Sequence, residues 1–155
     1  MEQPSNAEMR TFAEECVSKP FIRAALQSRL TAYAPYSKFL VGASLLTKKG
    51  NIHLGCNIEN AAYGPSLCAE RLAISKAVAC GERAFIGIAI AGGPEASMDL
   101  PYCPPCGICL QVMREFCDPA HFRVVLCKSE TQYKIFSLKQ LLPLGFGPDF
   151  LEAQP

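Results

Sequence analysis

The stretch Leu67-Cys68-Ala69-Glu70-Arg71-Leu72-Ala73-Ile74-Ser75-Lys76-Ala77-Val78-Ala79-Cys80, with the run Phe85-Ile86-Gly87-Ile88-Ala89-Ile90-Ala91 that follows it, decides the fold class. Gly64 and Pro65 precede the first segment, Gly81 follows it, and Ala, Leu and Ile dominate between them, which reads as a helix with marked ends. The second segment is continuously apolar and is closed by Gly92-Gly93-Pro94. Such a run is a strand covered on both faces. A helix feeding a buried strand is a unit of a layered sheet.

The flanking sequence extends this unit in both directions. Phe39 to Leu46 and Ile52 to Ile58 are β-rich runs separated by Lys48-Lys49-Gly50-Asn51, which predicts an antiparallel hairpin. Further upstream, apolar residues from Met9 to Leu30 recur at helical spacing, with Pro20 expected to end or kink the first stretch. Downstream, residues 94–105 read as a proline-rich loop and Gly107 to Phe116 as a short helix. Phe122 to Cys127 and Tyr133 to Phe136 read as strands, and Leu138 to Leu142 as a helical turn. This order predicts an α/β fold, a three-layer α/β/α sandwich around a mixed five-stranded sheet. No repeat or linker interrupts it, so residues 1–155 are expected to form a single domain, with 1–8 a frayed tail.

Composition narrows the function. A chain of 155 residues buries roughly 70% of its unfolded surface, so its core needs no metal to exist, and any metal is expected to serve chemistry. Lys plus Arg is 15 and Asp plus Glu is 14, a net charge of +1 without long runs of either sign. That balance disfavours capture of a nucleic acid and favours a small-molecule substrate. No apolar window is long enough to span a membrane. The nine Cys are an odd number, and the first residues lack the basic-then-apolar pattern of a secretory leader, so a reducing, cytoplasmic setting is expected.

Two features carry chemistry: Cys68-Ala69-Glu70 at one helix start and Pro105-Cys106-Gly107-Ile108-Cys109 at another. In α/β sheets ligands bind where strands end and helices begin, so two such starts can face one crevice. Cys68, Cys106 and Cys109 could then meet at one tetrahedral Zn²⁺ that keeps a position open for water. Helix N-termini help the sulfurs ionise. Glu70, two residues beyond Cys68, can reach a water at that open position as general base and acid. Cys103-Pro104-Pro105-Cys106 offers an overlapping pair. Cys103 could close the site as a fourth thiolate or form a redox couple with Cys106. Cys16, Cys56, Cys80, Cys117 and Cys127 read as core thiols, and His53 and His121 as exposed.

These residues resemble the zinc-dependent cytidine deaminases, in which Cys-Ala-Glu and Pro-Cys-x-x-Cys supply the metal site. The resemblance runs from Ala34-Pro35-Tyr36-Ser37 through Val41-Gly42-Ala43 to Phe146-Gly147-Pro148. It implies a cytidine deaminase-like catalytic domain, one zinc per chain, and hydrolytic deamination of cytidine and 2′-deoxycytidine in pyrimidine salvage. It also implies a homotetramer with sites completed across subunits. Asn57 and Glu59, at i and i+2 where a strand ends, can point to one face. The resemblance gives them the ribose hydroxyls, the alternative being solvated turn residues. It sets Phe39 against the nucleoside and a neighbour's Phe146 over the base, although either ring alone reads as core. The Ala69 N–H and the Ala61 carbonyl are implied for the pyrimidine edge.

Three thiolates leave Zn²⁺ with a net negative charge, and Arg71, three residues after Cys68, can donate to the sulfurs and restore Lewis acidity. Many family members carry Arg after the second Cys of the pair, where this chain has Leu110. Other readings remain at this level: deamination of a related aminopyrimidine nucleoside such as an antibiotic, deamination of single-stranded cytosine, or a non-catalytic structural zinc module.

Overall fold

The computed structural model describes residues 19–151. The expected tail at 1–8, the part of the N-terminal helix expected over residues 9–18, and Cys16 lie outside the described residues. The element order is α1 (Lys19–Arg29), β1 (Phe39–Thr47), β2 (Ile52–Cys56), α2 (Ala69–Ala79), β3 (Phe85–Pro94), α3 (Gly107–Phe116), β4 (Arg123–Cys127), β5 (Tyr133–Ser137) and α4 (Leu138–Leu141), with a 3-10 turn at Pro148–Phe150. The strands form one sheet in the order β2-β1-β3-β4-β5. β3 and β4 run parallel and the other neighbours antiparallel, which makes the sheet mixed as expected.

Alternation along the strands sorts the core into two layers. On β3, Ile88 and Ile90 face the layer that holds Ala73, Ile74 and Ala77 of α2 and Met113 of α3, joined by Val124 and Leu126 of β4. Ala89 and Ala91, with Val125 and Cys127, face Phe21, Ile22 and Ala25 of α1. α1 therefore covers one side of the sheet and α2 and α3 the other. β2 and β3 are both antiparallel to β1, so the link through α2 is a crossover over β1. The link through α3 joins the parallel pair β3 and β4. Both crossovers deliver a helix start to the same side of the sheet.

Close approach of helix to strand fixes where α2 begins. A Cβ on Gly55 of β2 would lie 2.1 Å from the Ala69 carbonyl oxygen and 2.7 Å from the Ala73 nitrogen, so the first turn of α2 rests on bare backbone. Two strand ends differ from the sequence reading. β3 continues through Gly92-Gly93 to Pro94, and these residues pair with Val41, Leu40 and Phe39 on one side only, since β4 pairs β3 over Gly87–Ile90. Pro, which has no N–H to donate, is tolerated where only one neighbour remains. β2 stops at Cys56, because Asn57 turns its side-chain amide onto β1 and Ile58 makes isolated bridges to Tyr33 and Leu67.

Candidate metal centre and active site

Cys68 and Cys106 are the N-cap residues of α2 and α3, both extended in backbone, and neither thiol caps its own helix. The sulfurs instead turn to each other: Cys68 Sγ lies 3.9 Å from Cys106 Sγ, and Cys106 Sγ lies 3.5 Å from Cys109 Sγ. All three ligand atoms fall within 4.8 Å of one another, the one such group of His, Cys, Asp or Glu among the described residues. Two helix N-termini thus converge on three thiols, and their partial positive charge favours thiolates. The Cys68 thiol is brought down to about 5 by a hydrogen bond from the Cys109 thiol and by the Arg71 guanidinium. The same bond and burial push Cys109 up, so Cys68 releases its proton first.

Glu70 shares the buried face of α2 with Ala73, Ile74 and Ala77 and is only 4% exposed. Burial, and next the Cys68 thiolate, push its carboxyl above the usual carboxylate range. A carboxyl displaced towards neutrality suits alternate uptake and release of a proton. Arg71 Nη2 donates to the Ser66 carbonyl at 2.8 Å and to Cys68 Sγ at 3.9 Å, and its Nε is buried without a partner. Arg71 therefore reaches the Cys68 sulfur from the start of α2.

Tetrahedral zinc with Zn–S near 2.3 Å holds its sulfurs about 3.8 Å apart, and the observed sulfur separations match that spacing. Cys68, Cys106 and Cys109 fit a zinc ion with one position left open. The family model for the cytidine and deoxycytidylate deaminase zinc-binding region matches residues 17–126. The chain belongs to this family. Within it, the cytidine deaminase of Halalkalibacterium halodurans is 43% identical over 125 residues, 81% of this chain and 90% of that one. The crystal structure of the cytidine deaminase from Burkholderia pseudomallei superposes with a TM-score of 0.73 at 43% identity, covering 82% of this chain and 97% of that one. The structure of the cytidine deaminase from Mycobacterium tuberculosis gives a TM-score of 0.66 at 32% identity, covering 83% and 95%. The fold expected from sequence is the fold of this family.

Asn57 Oδ1 accepts from the Val41 N–H at 2.7 Å, and Nδ2 donates to the Phe39 carbonyl at 2.9 Å. Glu59 Oε2 accepts from the N–H groups of Tyr36 and Ser37 at 2.9 and 3.2 Å, and the Ser37 hydroxyl and these amides hold its carboxyl below the usual range. Both side chains thus grip the segment 36–41. Each keeps unused capacity for a ligand: one hydrogen and one lone pair on the Asn57 amide, and the second oxygen of Glu59. The Ile58 bridge to Leu67, the residue before Cys68, brings this pair to the start of α2. Ala69 is fully buried as the first residue of α2, whereas Ala61 sits in the exposed 60–65 loop. Phe39 is half-buried, with its ring edge over Gly92. Phe146 is 55% exposed and stacks on Phe150 with ring centroids 5.3 Å apart, so within its own chain it is not a core residue.

Cys103 lies outside the thiol group. Its sulfur sits over Gly92, and burial pushes it up to about 11, the condition of a packed thiol and not of a fourth ligand. Leu110 belongs to the main core cluster, so this position contributes packing here. Cys117 and Cys127 are buried as expected, Cys56 is partly so and Cys80 is exposed. His121 is exposed beside Asp118. His53 is half-buried against Glu82, a partner that no sequence pattern signals. Sequence reading also missed Gly55 as the seat of α2 and Gly92 as the floor beneath Phe39 and Cys103. For Gly55 the available signal was a glycine inside a strand-like run, which marks close approach; Gly92 carried none, since it reads as part of a terminator. Among the described residues no helix is long and apolar enough to cross a membrane.

Proposed function

We propose that this chain catalyses zinc-dependent hydrolytic deamination of cytidine and 2′-deoxycytidine to uridine and 2′-deoxyuridine, with release of ammonia, in pyrimidine salvage. The observation that carries this reading is the buried Glu70 carboxyl beside three thiols that meet at two helix starts. When bound by those thiolates, zinc supplies the Lewis acidity that makes water nucleophilic near neutral pH. Glu70 accepts a proton as the water oxygen bonds to C4, and delivers it to N3. It then carries the remaining hydroxyl proton to the amino nitrogen, the C4–N bond breaks, ammonia leaves and the C4 carbonyl forms. Atoms balance as nucleoside plus water giving uridine plus ammonia.

Asn57 and Glu59 receive the ribose hydroxyls, the Ala69 N–H and the Ala61 carbonyl read the pyrimidine edge, and Phe39 walls the pocket. The exposed Phe146, beside exposed Leu144 and Phe150, supports a homotetramer in which a neighbour's Phe146 closes over the base. Eight free cysteines among the described residues support a reducing, cytoplasmic location for this single catalytic domain.

The test is loss of cytidine absorbance with zinc-assayed protein, comparing wild type with Glu70→Ala. The expected result is turnover that falls by about 10³-fold in the variant while one zinc per chain remains. A wild type that holds zinc and leaves both nucleosides unchanged overturns the proposal. Sedimentation and a raised KM in Phe146→Ala test the assembly; a monomer with full activity rules the shared site out.

A further inference from the structure

The last turn of α1 lies on the sheet face opposite α2 and α3, yet it is fastened to the strand ends that carry the nucleoside side of the site. Ser28 Oγ donates to the Gly55 carbonyl at 2.6 Å. Arg29 Nη2 donates to the carbonyls of Gly93 at 3.0 Å and Pro94 at 2.7 Å. Between them, a Cβ on Gly42 of β1 would lie 2.2 Å from the Arg29 nitrogen, so the helix end rests on bare strand. Three adjacent strands, β2, β1 and β3, are thereby tied to one helix turn.

Arg29 is the unusual member of this set. It is only 6% exposed, its Nε is buried without a partner, and among the described residues no carboxylate lies within ion-pair distance of it. Its guanidinium is held by carbonyls at the end of β3 and sits at the C-terminus of α1, where the helix dipole favours a cation. A buried cation without a bonded counter-ion is an expensive way to join two elements, since apolar packing of similar volume would join them at lower cost. Its partners show what the arrangement controls. Gly93 and Pro94 are the register partners of Leu40 and Phe39. Phe39 in turn gives its carbonyl to Asn57, and Val41 gives Asn57 its N–H.

We infer that Arg29 is a positioning residue for the nucleoside subsite: by holding the Gly93 and Pro94 carbonyls it fixes the β1–β3 end that sets both the Phe39 ring and the Asn57 amide. The inference rests on the assignment of those two residues under Proposed function. Because the thiols and Glu70 belong to the helices on the other face, the residue acts on substrate binding and leaves the chemical step in place.

The experiment is a double-mutant cycle of Arg29→Gln and Asn57→Ala in the full zinc-loaded chain, with Arg29→Lys beside it. KM for cytidine, kcat, zinc content and the dissociation constant of uridine are measured for each. Arg29→Gln is expected to raise KM and the uridine constant about tenfold. Its kcat and zinc content stay near wild type. Arg29→Lys, which keeps the charge and one donor, recovers part of the loss. Combined with Asn57→Ala, the KM increase is smaller than the product of the two single effects, as for residues acting through one network. A multiplicative cycle, a fall in kcat at unchanged KM, or wild-type binding in Arg29→Gln overturns the inference. If Arg29→Gln does not fold, Arg29→Lys decides: a wild-type KM overturns it and a raised KM at constant kcat supports it. A wild type that neither turns over cytidine nor binds uridine overturns the functional reading together with this one; an active wild type with a multiplicative cycle overturns this one alone.

Discussion

Replacing Gly55 by alanine sets a single methyl group against the backbone of α2. The added carbon would stand 2.1 Å from the Ala69 oxygen, 2.7 Å from the Ala73 nitrogen and 3.1 Å from the Ala69 carbonyl carbon. No rotamer relieves this contact, because every atom met is main chain. Ordinary contact starts near 3.4 Å, so helix and strand must part by about 1.3 Å at the closest point. Overpacking of this kind costs about 3 kcal/mol, the upper end of the usual range. For a domain of this size that lowers Tm by about 6–12 °C. The displaced turn holds Cys68, Ala69 and Glu70, and a shift of about 1 Å at reacting groups costs on the order of 100-fold in rate. Thermal unfolding, zinc per chain and kcat/KM for cytidine should therefore all fall in Gly55→Ala. Gly64→Ala, where an added Cβ meets nothing within 4 Å, serves as the control and should change none of them. A Gly55→Ala protein with wild-type Tm and kcat/KM would refute the claim that β2 seats the first turn of α2.

Three further outcomes follow from named contacts. Glu82 is held at about 2 by hydrogen bonds from Thr47, Asn51 and His53, below the unfolded value near 4.5. Its stabilising contribution is therefore complete above about pH 4.5 and disappears as pH falls towards 2. With metal chelated from both proteins, the Tm gap between wild type and Glu82→Gln should close over that window, and a gap constant with pH would count against it. Arg71→Gln removes the cation beside Cys68 Sγ, so the thiol rises from about 5 and zinc is retained only at higher pH. Zinc affinity should fall about 10–100-fold in competition with a chelator, and unaltered affinity would mean that Arg71 serves only the Ser66 carbonyl. Cys103→Ser should keep one zinc per chain and most activity, since its thiol is packed over Gly92; loss of the metal would restore the four-thiolate reading.

The helix starts were legible in the sequence because their signals are local. Gly64-Pro65 and Pro104-Pro105 stop other structure from forming, and a cysteine at each N-cap leaves its side chain free to meet a partner. The strand ends were not legible, because their causes are distant in sequence. Gly92-Gly93-Pro94 reads as a terminator, yet Phe39–Val41 pairs with it, and Phe39, Leu100, Pro101 and Cys103 occupy the space its side chains would need. Asn57 looked like the end of a strand pointing at solvent or ligand, and its clasp on Val41 and Phe39 depends on a hairpin register that spacing alone does not give. The hydrogen bond between His53 and Glu82 spans 29 residues, which no helical or strand period reports.

That clasp also changes how a ligand meets Asn57. With Val41 bound to its oxygen and Phe39 to its nitrogen, the amide behaves as one more peptide unit of β1, and its rotamer is chosen before any nucleoside arrives. A free polar side chain gives up roughly 0.5–1.5 kcal/mol of freedom when it is immobilised on binding. Here that ordering belongs to folding of the hairpin, so under the proposed ribose role a hydroxyl would find the Asn57 amide already fixed in shape. Softening β1 would therefore weaken recognition through entropy while every contact in the bound state stayed the same.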